Sequence, residues 1–268
     1  MWESRILLTT LLLRYEPLSF IYRVIKHIML LRIKSMLISK VAPNFDVGSG
    51  TLEALKWFAF ICMAIDHLYK FLPVTQLQYV SPLGRLAVPL FAFVFGYSLR
   101  HFNFQDSPHT LKLLLRLLVT GVIAWFPYTY LTTQGFVFHL TGQNIMLMFL
   151  LAAIILWINS WPIKYSALVT APIFLIGGLF VEYLWAGLLI TIASYYFALS
   201  PNWKNLLVII MGLFMLADIN GNWYAFLVLP IIFWLPHADM RTQRIKHIFY
   251  VLYPLHMAAI IFIRFLMS

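Results

Sequence analysis

Long apolar runs are the feature that most limits what this chain can fold into. A helix needs about 20 mostly apolar residues to cross a bilayer, and runs of roughly that length recur along most of the sequence. Only 10% of the 268 residues are charged and 62% are hydrophobic, too few polar side chains to cover a water-soluble globule. We therefore predict an all-α, polytopic membrane helix bundle of about nine spans. The predicted spans lie near 54–72, 83–100, 111–131, 144–158, 163–180, 182–199, 204–218, 222–235 and 247–266.

The connections between these spans alternate in charge. Basic loops face the cytoplasm in most membrane proteins, so the alternation predicts an N-terminus inside and, for nine spans, a C-terminus outside. The same rule accounts for the net charge of +10. The basic loops lie near 100–112, 159–164, 200–204 and 236–247, and the loops without Lys or Arg lie near 73–82, 132–143 and 219–222.

Residues 1–50 differ from the rest, because basic side chains break their apolar runs into pieces too short to cross a bilayer. We predict a basic interfacial helix on the anionic cytoplasmic leaflet and a short linker over 44–50, which leaves 51–268 as the membrane domain. A secretory signal peptide is not expected, since the apolar region is too short and no cleavage site follows it. The alternative is a poorly structured stretch, or one upstream of a start at Met36. The basic residues are Arg5, Arg14, Arg23, Lys26, Arg32, Lys34 and Lys40.

Several partner classes are not expected from this sequence. The basic residues are spread between apolar spans instead of forming one solvated face, so nucleic acid is not a predicted partner. The single cysteine, Cys62, excludes an intrachain disulfide. No His, Asp or Glu cluster has zinc spacing, and no metal is predicted. Membrane lipid is the expected surrounding, and the oligomeric state is left open.

A few polar residues lie within the spans, where an ionisable group is costly unless it is paired or faces a wet cavity. Asp66 and His67 lie past the midpoint of the first span, and Arg85 opens the second span from the same outer face. Asn144 opens the fourth span and His256 lies near the middle of the last. We predict that these five residues converge in the outer half of the bundle.

Adjacent positions on a helix differ by about 100°, so we expect Asp66 and His67 to point to neighbouring faces and not at one atom. We predict a buried ion pair between Asp66 and Arg85, which leaves His67 for chemistry. The alternatives are that the ion pair only fixes helix packing, and that His67 and His256 only make interhelical hydrogen bonds.

Several short motifs follow one another in the spans. Together they resemble the TraX family, membrane proteins encoded with conjugative pili and named for acetylating the N-terminus of F-type pilin. The resemblance covers residues 51 to about 260 and is most specific in the DH, GR and PLF motifs. The matching residues are Leu55-Lys56, Asp66-His67, Gly84-Arg85, Pro89-Leu90-Phe91-Ala92-Phe93, Gly96, Gly142-Gln143-Asn144-Ile145 and Tyr253-Pro254-Leu255-His256.

This resemblance implies a bacterial inner-membrane enzyme that moves acetyl from acetyl-CoA to the α-amino group of a pilin subunit. A neutral imidazole suits removal of the ammonium proton, and His67 is the predicted general base. Arg85 or Asn144 would stabilise the oxyanion, with Asp66 holding Arg85. Basic residues at the inner rim are expected to meet the coenzyme phosphates, unless they serve topology alone. They are Arg100, Lys112, Arg116, Arg241 and Arg244.

The polar cluster is predicted in the outer half of the bundle, whereas acetyl-CoA is cytosolic. Either the pantetheine arm reaches up the bundle, or His256 relays the acetyl group covalently; the sequence leaves both open. Three other functions remain as alternatives: a membrane acyltransferase for a sugar or other small substrate, a small-solute transporter, and a pilus-assembly partner without catalysis. The first alternative rests on a likeness to the integral membrane acyltransferases that acetylate sugars. These enzymes also have an Asp-His pair in a first span and an aromatic-glycine second span, which is a likeness of plan and not of sequence.

Overall fold

The computed structural model describes residues 45–72, 79–133, 144–162, 166–245 and 247–267. The chain divides into Met1–Phe45 and a compact unit, Asp46–Ser268. Most of the predicted interfacial segment, residues 1–44, lies outside the described residues, and its helix stays a prediction. Everything below concerns the second unit.

All regular elements in the described ranges are helices. Three short 3₁₀ turns, Leu99–His101, Tyr224–Leu227 and Leu235–His237, extend or precede α-helices. The α-helices, numbered along the chain, are α1 (Ser49–Phe71), α2 (Ser81–Gly84), α3 (Ala87–Ser98), α4 (Ser107–Thr133), α5 (Ile145–Asn159), α6 (Ser166–Gly177), α7 (Leu184–Leu199), α8 (Trp203–Asn220), α9 (Val228–Trp234) and α10 (Ile248–Met267).

The predicted all-α membrane bundle agrees with this architecture, since each predicted span coincides with one helix or two consecutive short ones. By length and composition, four helical stretches in the described residues are able to cross a membrane. The other apolar helices are shorter, and α1 carries several charged side chains. The number of crossings and their orientation therefore stay predictions. The four stretches are Pro82–His101, Ser107–Thr133, Trp203–Asn220 and Ile248–Met267.

Helices α3 and α7 form the centre of the bundle and pack along each other. The α3 sequence, AVPLFAFVFGYS, is apolar all round, as expected for a helix buried on most of its sides. Gly96 lies where any Cβ would overlap the carbonyl oxygen of Thr191 on α7. Small residues allow such close approach between membrane helices, so this glycine sets the distance between the two central helices.

Helices α4 and α10 pack against each other on the periphery, and α10 also contacts α1. Both carry rows of exposed large apolar side chains, such as Leu111, Leu115 and Val122 on α4. A bilayer explains this exposure, because lipid covers apolar side chains that water would not. The contact between α10 and α1 brings the last helix beside the first, which is the contact that assembles the site.

The stretch predicted as a linker is tied to the end of α3. The Asp46 carboxylate lies 2.5 Å from the Arg100 guanidinium, which also donates to the Tyr97 hydroxyl at 2.6 Å. The Val47 N–H donates to the same hydroxyl at 3.1 Å. The hydrogen bond from Arg100 holds the pKa of the Asp46 carboxyl below its ordinary value. Residues 46 and 47 are therefore part of the folded unit.

Candidate functional site

Two histidines from the first and last helices meet at the α1–α10 contact. His67 Nδ1 and His256 Nε2 are 2.8 Å apart, and the ring planes differ by only 8° with centroids 5.1 Å apart. That centroid separation equals the hydrogen bond plus the two ring radii, so the rings lie edge to edge in nearly one plane. The sequence predicted that these histidines converge, and they do. The alternative role considered for His67, an interhelical hydrogen bond, is therefore present in the structure. It uses only one of the two ring nitrogens of His67.

The closer ion-pair partner of Asp66 is Lys70 and not Arg85, which the sequence predicted. Its Oδ2 lies 2.5 Å from Lys70 Nζ, one helical turn later on α1. Arg85 is more distant, with Nη1 at 3.9 Å from Asp66 Oδ1 and 3.3 Å from Asn220 Oδ1. The i,i+4 spacing of Asp66 and Lys70 was a visible signal of this pairing. Asp66 is only 4% exposed and carries both ion pairs.

Gly84 explains how Asp66 and Arg85 come together. A Cβ at position 84 would overlap the side chain of Asp66, so only glycine lets the start of the second helical region pass this close to α1. The residue that follows is Arg85, which thereby approaches the Asp66 carboxylate. The Gly-Arg motif is thus a packing device that positions a charge.

Asp66 and His67, predicted on neighbouring faces of α1, both line one small cavity. The cavity holds about 20 Å³, room for a single water molecule. Asp66 Oδ1 is buried and has no hydrogen-bond partner. The other polar residues of the lining are Glu182, Tyr183 and Tyr253.

Glu182 and Tyr183 are site residues that the sequence did not single out. Glu182 lies close enough to Asp66 and Lys70 for their charges to act on it, so two carboxylates share this region. Tyr183 and Leu184 both have left-handed backbones, with φ of 60° and 51°. Non-glycine residues rarely adopt this conformation, and strained residues of this kind cluster at active sites, ligand clamps and switch regions. In the sequence, Glu182 is the first residue of the predicted span 182–199.

The side chain of Asn144 makes two hydrogen bonds to the backbone. Its side-chain oxygen accepts from the Met146 N–H at 3.1 Å and caps α5, and its amide donates to the Gly121 carbonyl at 2.8 Å. The residue is fully buried and is not part of the small-cavity lining. Its neighbour Ile145 is in that lining, so the cap fixes one wall of the cavity. A direct catalytic role for Asn144 stays a prediction.

A second and much larger cavity, of about 480 Å³, opens near the start of α4. Ligand pockets commonly fall in this size range. Its interior is lined largely by phenylalanine, leucine and valine side chains, and its rim is basic. The basic lining residues are Lys56, His109, Lys112, Arg116, Arg244 and His247.

Three of the five predicted phosphate-binding residues line this cavity: Lys112, Arg116 and Arg244. Lys112 and Arg116 are one turn apart on α4 and therefore share a face. Arg241 is exposed and outside the lining. Arg100 is also outside it and bonds Asp46, Tyr97 and His101.

The two cavities meet at one aromatic side chain. Phe91 on α3 lines both of them. Phe249 packs against Phe91 with centroids 6.5 Å apart and against Phe60 at 6.1 Å, and Phe60 contacts the His256 ring at 5.6 Å. A layer of three phenylalanines therefore separates the large cavity from the histidine pair. We call these residues the phenylalanine wall.

Comparison with known proteins decides the family. The profile of the TraX protein family matches residues 51–264, most of the chain. The chain belongs to the TraX family. It is also similar to an uncharacterized protein of Rickettsia prowazekii (strain Madrid E), with 32% identity over 156 residues that cover 51% of this chain and 56% of the relative. The chain thus covers just over half of that relative's length. No solved structure matches it.

The resemblance inferred from the motifs is therefore confirmed, and most of the TraX-like motifs lie around the two cavities. The DH pair provides Asp66 and His67, Gly84 packs on Asp66, and the PLF motif provides Phe91 of the phenylalanine wall. His256 ends the last motif and bonds His67. Gly142 and Gln143 lie outside the described residues. Among those described, no group of three His, Cys, Asp or Glu side chains is arranged to hold a metal ion.

Proposed function

We propose that this protein is an acetyltransferase of the bacterial inner membrane that transfers acetyl from acetyl-CoA to the N-terminal amine of a pilin subunit. Membership of the TraX family supports a conjugation-related role. The observation that carries the proposal is the pair of adjoining cavities, which share Phe91 as a wall residue. A basic rim and an apolar interior suit a phosphate-bearing thioester, and the histidine pair beside them suits proton transfer.

The large cavity is the proposed donor site. Acetyl-CoA supplies an activated acetyl group as a thioester. Lys112, Arg116 and Arg244 would bind its phosphates through charge-assisted hydrogen bonds, and the phenylalanine-lined interior would hold the pantetheine arm. Lys112 and Arg244 lie in loops that the positive-inside rule assigns to the cytoplasm, where acetyl-CoA is found, and Arg116 lies one turn after Lys112 on α4.

The proposed place of reaction is the boundary between the two cavities at Phe91. The small cavity itself holds one water molecule, so the reacting groups would have to displace the Phe91 ring to reach His67. An α-ammonium has a pKa near 7.7–8.0 and must lose a proton before it attacks, and His67 is the proposed base. Asp66 and Glu182 line the small cavity, and their oxygens would accept hydrogen bonds from an approaching ammonium. The hydroxyl of Tyr253 is the donor that would stabilise the oxyanion of the tetrahedral intermediate, because the Tyr183 hydroxyl bonds the Glu182 carboxylate. Arg85 would act through Asp66, which it contacts.

The test is the mass of a pilin subunit co-expressed with the wild-type protein or with variants of His67. His67→Gln keeps a polar side chain of similar size but removes the base. We expect normal abundance in the membrane and a loss of acetyl transfer of about 10²–10⁴-fold. The matched control is His101→Gln, an exposed histidine outside both linings, which should leave acetylation unchanged.

His67→Leu separates catalysis from packing. If His67 only joins two helices, glutamine restores much of the hydrogen bond and leucine does not. Acetylation would then persist in His67→Gln, and protein level would fall in His67→Leu. That result would refute His67 as the base. A pilin mass that is the same with and without the wild-type protein would refute the proposed reaction itself.

A further inference from the structure

His256 makes a second hydrogen bond that decides where the protons of the histidine pair lie. Its Nδ1 is 3.1 Å from the carbonyl oxygen of Leu252, one turn earlier on α10. A carbonyl oxygen only accepts hydrogen bonds, so Nδ1 of His256 carries a hydrogen. A neutral imidazole has one N–H, and Nε2 of neutral His256 is therefore an acceptor.

The same reasoning fixes the tautomer of His67. Because Nε2 of His256 accepts, the hydrogen in the 2.8 Å bond belongs to Nδ1 of His67. Nε2 of His67 then carries a lone pair, and His67 makes no other hydrogen bond among the described residues. The nearly coplanar rings show that the bond runs along the lone-pair direction of the acceptor. The order of donors is His67 to His256 to Leu252.

We propose that His256 is a positioning residue that holds His67 in the tautomer whose Nε2 is free to accept a proton. The backbone of α10 supplies the fixed point, since the Leu252 carbonyl orients the His256 ring and that ring orients His67. While the pair is intact, neither nitrogen of His256 is free for a covalent acetyl relay. The catalytic part of this inference rests on the proposed acetyl transfer; the tautomer assignment does not.

The hydrogen bonds from His67 to His256 and from His256 to the Leu252 carbonyl resemble those of a catalytic triad, in which a third group orients the base and selects its tautomer. A carboxylate usually takes that place and adds a negative charge. Here the orienting group is a neutral imidazole backed by a carbonyl, so it orients the base without placing another anion beside Asp66 and Glu182.

The tautomer is tested directly by ¹⁵N solid-state NMR of the full-length protein in lipid vesicles, with histidine labelled on both ring nitrogens. The spectra of His67→Gln and His256→Gln identify the two residues among the eight histidines by the signals that each variant loses. We expect neutral His67 protonated at Nδ1 and bare at Nε2, and neutral His256 with the same pattern. A proton on Nε2 of neutral His67 would overturn the proposal, whatever the protein catalyses.

The positioning role is tested with the pilin mass assay. His256→Gln keeps an oxygen that can accept from His67, whereas His256→Leu does not. We expect His256→Gln to retain most of the activity and His256→Leu to lose about 10²-fold or more, since a catalytic histidine in the wrong tautomer loses up to about 10⁴-fold in Ser-His-Asp enzymes. Adding His256→Leu to His67→Gln should cause no further loss, because residues that act as one unit are not additive.

The NMR spectrum of His256→Leu supplies a readout that packing alone would not move. His67 should then show a mixture of tautomers at unchanged protein abundance. Leu255→Ala, an exposed neighbour on α10, is the control and should leave both spectrum and activity unchanged. Equal loss in His256→Gln and His256→Leu, or full activity in His256→Leu, would refute the positioning role. Failure of the wild-type protein to acetylate pilin would refute the proposed function and leave the tautomer result standing.

Discussion

Replacing Asp66 by asparagine removes the charge that holds two cations on α1 and beside it. Asparagine has nearly the same shape, so the packing against Gly84 is preserved and the change is mainly electrostatic. Lys70 and Arg85 would then face each other across a neutral amide in an apolar surrounding. We expect the folded protein to lose stability and acetyl transfer to fall.

The magnitude follows from distance and burial. Removing one partner of a buried ion pair costs about 3–5 kcal/mol, because the other charge is left uncompensated. The side chains of Lys70 and Arg85 keep 34% and 25% of their exposure, so both cations recover part of their solvation. We therefore expect a loss of about 2–4 kcal/mol in the free energy of unfolding. Since Lys70 is at 2.5 Å and Arg85 at 3.9 Å, Lys70→Gln should cost more than Arg85→Gln.

Reversible unfolding in mixed detergent, followed by tryptophan fluorescence, measures these differences. Asp106→Asn is the matched control, because Asp106 also pairs with a residue close in sequence, His109 in the first turn of α4, but at an exposed site. That control should change the unfolding free energy by less than about 1 kcal/mol.

Two results would refute this reasoning. An unfolding free energy of Asp66→Asn equal to that of Asp106→Asn would mean that the Asp66 carboxylate does not stabilise the charges of Lys70 and Arg85. A larger cost for Arg85→Gln than for Lys70→Gln would return the main ion pair to the partner predicted from sequence.

Three further predictions concern the orientation in the membrane, the pH dependence of stability and the binding of coenzyme A. In a cysteine-free background, a cysteine at Asn222 should react with an impermeant thiol reagent added from outside and one at Ser107 should not; the reverse pattern would overturn the orientation. The lowered pKa of Asp46 means that its ion pair stabilises the fold above the unfolded pKa of about 3.9 and that this contribution is lost as pH falls through the folded pKa. Thermal unfolding of wild type and Asp46→Asn should therefore differ slightly at pH 6, by at most about 1 kcal/mol for so exposed a pair, and coincide in strong acid. Arg116→Gln should weaken binding of coenzyme A to protein in nanodiscs about 10-fold, whereas Lys204→Gln, outside the cavity, should not; equal affinities would mean that Arg116 serves topology alone.

The helical membrane fold was predictable because one physical requirement dominates the sequence. A backbone in lipid must satisfy its own hydrogen bonds, so apolar runs of sufficient length fold as helices wherever they occur. The ends of α5, α7 and α10 lie within two residues of the predicted limits for this reason. The short helices were harder to interpret, since an apolar run such as Ser166–Gly177 has the composition of a span but not the usual length.

The residues of the candidate site could be selected from the sequence, but most of their contacts could not. Ionisable groups in apolar runs are costly and therefore conspicuous, which identified Asp66, His67 and His256. Their partners depend on distances of about 1–2 Å between helices, and no periodicity encodes these. Helical geometry placed Asp66 and His67 on neighbouring faces of α1, but it gave no sign that one cavity would be lined by both. The left-handed turn at Tyr183 has no signature in composition.

The short helices have a consequence for the thickness of the membrane around this protein. At 1.5 Å per residue, the 12 residues of Ser166–Gly177 reach only about 18 Å, and the 15 residues of Ile145–Asn159 about 22 Å, against a hydrocarbon core of about 30 Å. A bilayer that meets these helices along their full length must thin locally, at a cost that rises with each ångström of mismatch. Vesicles of shorter-chain lipids should therefore suit this protein better than those of longer-chain lipids. Thinning also brings the two aqueous faces closer together, so the proposed donor, acetyl-CoA, and the proposed acceptor, a pilin amine, would be separated by less than an ordinary membrane.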